Sequence, residues 1–119
     1  IADEGFNPYM TVLVTRKEYL KNNTLTVKKF VESTKKGWAQ YLSNPTKTNK
    51  KISELNPTLD MEFLKESAEL QKALIESKET RKNGVGWMSE ERWKTLVQQL
   101  LDLKLISKTQ SAKDLYQNL

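Results

Sequence analysis

The chain contains no cysteine and no histidine in its 119 residues. These two absences remove whole classes of chemistry. No disulfide can form, no Cys nucleophile or Ser-His-Asp triad can be assembled, and no zinc site built on Cys or His is available. Any catalysis would rest on carboxylates, Lys, Tyr or Ser, and nothing in the sequence forces a pair of carboxylates together. A long apolar run is also missing. Mean hydropathy is -0.69, and no stretch approaches the ~20 apolar residues of a membrane-spanning helix. The opening residues, IADEG, are too polar for a secretory signal. The first residue is Ile1 rather than Met, so the expectation is a processed or excised piece whose targeting segment was removed or lies upstream. The lack of cysteine suits an extracytoplasmic setting.

Charge is present and uneven. Net charge is +5. Between Arg16 and Lys51 ten Lys/Arg face Glu18 and Glu32, giving +8, so the remainder carries 5 − 8 = −3. Such a basic half can meet nucleic acid or an anionic membrane surface. The plainer reading is that these lysines are the solvated faces of two helices, because their spacing leaves an apolar face clean. No arginine-rich segment or exposed aromatic series accompanies them, so nucleic acid is not expected as a partner.

The most regular stretch is 84–106, GVGWMSEERWKTLVQQLLDLKLI. A Gly-Val-Gly-Trp turn leads to Ser89, a residue suited to capping a helix, and Glu90 and Glu91 follow in the first turn. Trp93, Leu96, Val97, Leu100 and Leu101 then recur at helical spacing, with Leu105 extending the face. The glycines of 84–86 lack the third glycine and preceding strand of a phosphate-binding loop, so a turn is expected.

Taken in order, residues 1–8 form a loop punctuated by Gly5 and Pro8. Residues 9–15, YMTVLVT, are rich in β-branched and aromatic types and predict the only strand. A lone strand leaves backbone donors and acceptors unpaired, which calls for a partner outside the chain or a second copy. Short and long helices follow at 16–21 and 25–43, with Asn22, Asn23 and Thr24 as capping side chains. Gly37 inside the long helix implies close approach of another backbone. Asn44-Pro45 starts a weakly amphipathic helix over 46–55. Asn56-Pro57 breaks it, and Thr58 or Asp60 caps a helix from Met61 to about Ser77. Residues 78–83, KETRKN, read as a polar linker. The tail after Ile106 is a loop and a short helix. Trp38, Trp87 and Trp93 sit where core packing is expected. The fold class is mostly α for the chain by itself, one β-strand plus five or six helices.

An ordered set of features resembles the C-terminal part of the type II extracytoplasmic solute-binding proteins of ABC importers, in the branch of thiamine-pyrimidine-precursor, sulfonate and nitrate binders. The features are Gly5, Pro8-Tyr9, the segment ending Val14-Thr15, Phe30, Gly37-Trp38, Asn44-Pro45, Asn56-Pro57 and Gly86-Trp87 through Ile106. Two places depart from the family pattern: TKTNKK after Pro45, where relatives are Ala-rich, and Phe6-Asn7 in the loop. The resemblance implies a two-lobed α/β periplasmic-binding-protein-like fold in the intact protein. Residues 1–119 would be a single C-terminal segment completing the first lobe: 1–8 the hinge or cleft loop, 9–15 a strand joining that lobe's sheet, and 16–119 helical.

The resemblance also implies where a ligand would sit. The loop of 3–9 should face the cleft. Tyr9 would stack on a heterocycle or donate a hydrogen bond, Glu4 and Asp3 would accept from amines or hydroxyls, and Asn7 would do both. The alternative is that Asp3 and Glu4 are solvated charges and Tyr9 is packing. The expected function is capture of a small solute, a heterocycle such as a pyrimidine or a small anion, without catalysis, cofactor or metal. Expected partners are ABC permease subunits and the remainder of the same protein, with a possible dimer through the unpaired strand. The expected setting is the periplasm or a membrane-anchored lipoprotein. Two other readings stay open. One is an enzyme of the pyrimidine-synthase-like branch, whose histidines this chain cannot supply. The other is a standalone basic helical interaction domain.

Overall fold

The computed structural model describes residues 5–119. Asp3 and Glu4 lie outside the described residues. The described chain is mostly helical: α1 Lys17–Asn22, α2 Thr24–Ser43, α3 Thr46–Leu55, α4 Met61–Ile75, α5 Lys78–Asn83, α6 Glu90–Asp102, and a 3-10 helix at Ala112–Asp114. It divides into two compact units. One combines the residues up to Leu20 with Met88–Leu119, and the other is Lys21–Trp87.

The helix boundaries follow local chemistry. Asp60 caps α4 by accepting from the Phe63 N–H at 2.8 Å, and Ser89 caps α6 by accepting from the Arg92 N–H at 3.3 Å. Both satisfy a donor that the first helical turn leaves without a partner. At α2 the Asn23 side chain does not cap the helix. Pro45 precedes α3 and its carbonyl accepts from the Asn49 N–H at 2.8 Å, while Asn44 Oδ1 accepts from the Thr46 N–H. Gly84 and Gly86 take φ of 95° and 83°, and the Trp87 N–H closes the turn onto the Gly84 carbonyl. Only glycine enters this region without strain. Lys104 takes φ 57° just past α6. The Lys104 and Leu105 N–H groups bond back to the Leu101 and Leu100 carbonyls, which is a Schellman stop with lysine in the place glycine usually holds. Leu105 therefore leaves the apolar face and is 68% exposed.

Three expectations are corrected. Residues 9–15 are not a strand, and the described residues contain none. No residue from 10 to 15 has a backbone hydrogen bond among the described residues. β-Propensity measures fit to a pleated, half-covered surface rather than a free-standing preference, and here no neighbour supplies that surface. Residues 78–83 are a helix rather than a linker. Ser77 Oγ accepts from the Thr80 N–H at 3.1 Å and Thr80 Oγ1 accepts from the Ser77 N–H at 2.8 Å, so a threonine fills the part of a capping box usually played by Glu or Gln. Gly37 has no close neighbour: an added Cβ would meet nothing within 4 Å.

Within Lys21–Trp87, α4 packs on α2 and α3. Leu42, Leu64 and Ala68 are buried, and Asn49 is 1% exposed. Asn49 is tolerated because its Oδ1 accepts from the Tyr41 hydroxyl at 3.1 Å. Trp38 meets Tyr41 edge to face at 5.8 Å but remains partly exposed. In the other unit α6 packs on the 3-10 helix, burying Val97 and Ala112.

Candidate functional site

The loop expected to carry the site is fastened to α6. Arg92 and Gln99 stand seven residues apart, two helical turns, and so share one face of that helix. Gln99 Nε2 donates to the Gly5 carbonyl at 2.8 Å. Arg92 Nε donates to the Asn7 carbonyl. Its Nη2 donates to Asn7 Oδ1 at 2.6 Å and to the Pro8 carbonyl at 2.8 Å. The guanidinium carbon also stands 4.1 Å from the centre of the Tyr9 ring, a cation–π arrangement. One planar side chain therefore holds three consecutive residues. A lysine, with a single point of charge, would not reproduce that fork.

Tyr9 meets Arg92, Ser89 and Trp93. Its hydroxyl accepts from the Ser89 N–H at 2.8 Å, the residue that caps α6. Its ring lies 5.9 Å from Trp93, tilted by 37°. Trp93 in turn stacks on Tyr116 at 5.8 Å with planes within 5°. Such ring pairs add about 0.5–1.5 kcal/mol beyond area burial. The Trp93 Nε1–H is buried and has no acceptor among the described residues. Beside this cluster Asn118 grips one residue with both ends of its amide. It accepts from the Met88 N–H at 3.0 Å and donates to the Met88 carbonyl at 2.8 Å.

Of the residues expected at the site, Asn7 and Tyr9 are therefore brought together on the α6 face, Asn7 exposed and Tyr9 half-buried. Arg92, Gln99, Ser89 and Asn118 were not among them. Glu90 faces outward from this helix, paired with Lys94 at 2.8 Å. That hydrogen bond holds the Glu90 carboxyl below its ordinary range and raises Lys94. A shallow, open depression along α4 is lined by Glu62, Lys65, Glu66, Glu69 and Leu70. All five come from one helix, so it is a surface groove with mixed charge rather than an enclosed site. Among the described residues no group of three or more acidic side chains is placed to hold a metal ion, and no helix is long and apolar enough to cross a membrane.

A family model described as NMT1/THI5 like matches residues 1–48. That stretch contains the loop gripped by α6, the irregular residues 10–15, α1 and α2. No curated protein and no solved structure matches the chain.

Proposed function

We propose that this chain is the C-terminal portion of an extracytoplasmic substrate-binding protein that captures a small solute and delivers it to an ABC permease. The match of residues 1–48 to the NMT1/THI5-like family model carries the reading. The ordered resemblance along the remaining residues supports it, as does segment 10–15, whose backbone makes no hydrogen bond among the described residues. Paired as a strand, that segment would carry Met10, Val12 and Val14 on one face and Leu13 on the other. Strands of this kind belong to sheets covered on both sides, as in α/β folds. In this reading the sheet is supplied by the rest of the protein.

The solute is a heterocycle such as a pyrimidine or a small anion. It lies between two lobes that close by a hinge motion, and no bond is made or broken. The loop before residue 10 is the part of this chain that meets it, with Tyr9 and Asn7 as its contacts. Asp3 and Glu4 belong to the same loop in sequence. The protein would work in the periplasm or as a membrane-anchored lipoprotein.

Calorimetric titration tests this. The longer protein carrying this chain is titrated with an aminopyrimidine, nitrate and methanesulfonate, and so is the 119-residue chain. The expected result is saturable binding of one of them by the longer protein and none by the chain, which holds half a cleft. Equal binding by the chain alone, or binding only to nucleic acid or anionic vesicles with steep salt dependence, would replace this reading with that of a basic interaction domain.

A further inference from the structure

We propose that Arg92 sets the hydrogen-bonding sense of the loop, so that the loop reads acceptor groups on its ligand: an oxyanion, a carbonyl or an unprotonated ring nitrogen. The inference rests on the solute-binding reading above and narrows its ligand class. An asparagine side chain ordinarily offers both an acceptor and two donors. A guanidinium has donors only, so the end of the Asn7 amide that Arg92 Nη2 meets at 2.6 Å must be the oxygen. The exposed Asn7 is left presenting its NH2 group, which bonds to none of the described residues. Arg92 thereby converts a residue of mixed character into a donor.

Tyr9 is turned the same way. Its hydroxyl oxygen accepts from the Ser89 N–H, and its own O–H makes no hydrogen bond among the described residues. Trp93, a donor-only side chain 5.9 Å from Tyr9, has a buried Nε1–H with no acceptor among the described residues. Among the described residues the Asn7 NH2 and the Tyr9 O–H thus lack acceptors, and the positive charge of Arg92 stands beside both. An acceptor-bearing ligand is complementary to that set. A donor-rich one, such as an ammonium, is not. Arg92 acts through Asn7 and Tyr9 and is a positioning residue.

The test separates fastening from reading. The chain has no cysteine, so Phe6→Cys carries a single spin label at the edge of the loop. The label should be restricted with Arg92 present and several-fold more mobile in Arg92→Ala, with helix content by circular dichroism unchanged. Asn7→Asp keeps an oxygen for Arg92 and should keep the label restricted, yet it presents an acceptor outward. In the longer protein, Asn7→Asp and the uncharged Asn7→Ala should each weaken binding of methanesulfonate or nitrate by about tenfold or more, the worth of one charge-assisted hydrogen bond. Unchanged affinity in both variants overturns the assignment of Asn7 as a donor. A label equally restricted in Arg92→Ala overturns the role of Arg92 while leaving solute binding intact. Failure of the longer protein to bind any probe, with the label responding as expected, removes the solute reading and the ligand class with it but leaves the fastening by Arg92.

Discussion

Arg92 was indistinguishable in the sequence from the other charged residues on the outer face of α6. Its partners Asn7 and Pro8 lie 85 and 84 residues away, and Gln99 reaches Gly5 over 94. Amphipathic periodicity separates the buried stripe from the rest, but it cannot tell a solvated polar side chain from one that grips a distant backbone. Tyr9 and Asn7 were singled out because a resemblance put them in a cleft loop, and the structure sets that loop against α6. The side chains that hold them were not singled out. Asn49 was illegible for a related reason: an asparagine in a lysine-rich, weakly amphipathic helix carries no sign of being 1% exposed. Its partner supplies the test. Tyr41→Phe removes the donor to Asn49 Oδ1 and should lower the unfolding free energy by about 1 kcal/mol in urea denaturation. No change would mean that this bond carries no net stability.

At the scale of elements, capping chemistry was readable where it was orthodox. Ser89 and Asp60 begin their helices as their residue types predict. The helix over Lys78–Asn83 escaped because its capping box uses Thr80 and its six residues are all polar, so neither apolar periodicity nor the usual Glu or Gln marks it. Residues 9–15 failed in the opposite direction. Their composition is that of a strand, but a strand is a relation between two segments and one was missing. Gly37 misled because glycine inside a helix has two meanings, close packing or no constraint, and the open space around it decides for the second. Gly37→Ala should therefore raise stability by about 0.5–1 kcal/mol, the conformational-entropy penalty of a helical glycine relative to alanine. A destabilised variant in the same urea assay would show that something packs against that position.

At the scale of the molecule, the fraction of apolar surface left uncovered is the main fact. Among the described residues five apolar ones are buried, while Met10 and Val14 are 86% exposed and Leu13 57%. Along α4, Leu64 and Ala68 are buried, while Phe63, Leu70 and Leu74 stay exposed. Leu42, Leu64 and Val97 contribute about 1.5–3 kcal/mol each and the two alanines less, so such a short core is modest support for the whole chain. The function proposed above, in which the chain completes a larger fold, accounts for this character. Segment 10–15 keeps every backbone donor and acceptor free among the described residues, and adding that segment to a sheet would satisfy the row at once. Mostly helical composition was readable from periodicity alone. The strand expected at 9–15 was read from composition alone, and the described residues contain no sheet for it to join.

Amide hydrogen exchange at residues 10–15, compared between the 119-residue chain and the longer protein that contains it, tests this account most directly. The account predicts exchange near the unprotected rate in the chain alone and slowing by at least about 100-fold in the longer protein, as for strands inside a stable sheet. Equally fast exchange in both would contradict it, because the segment would then have no sheet to join.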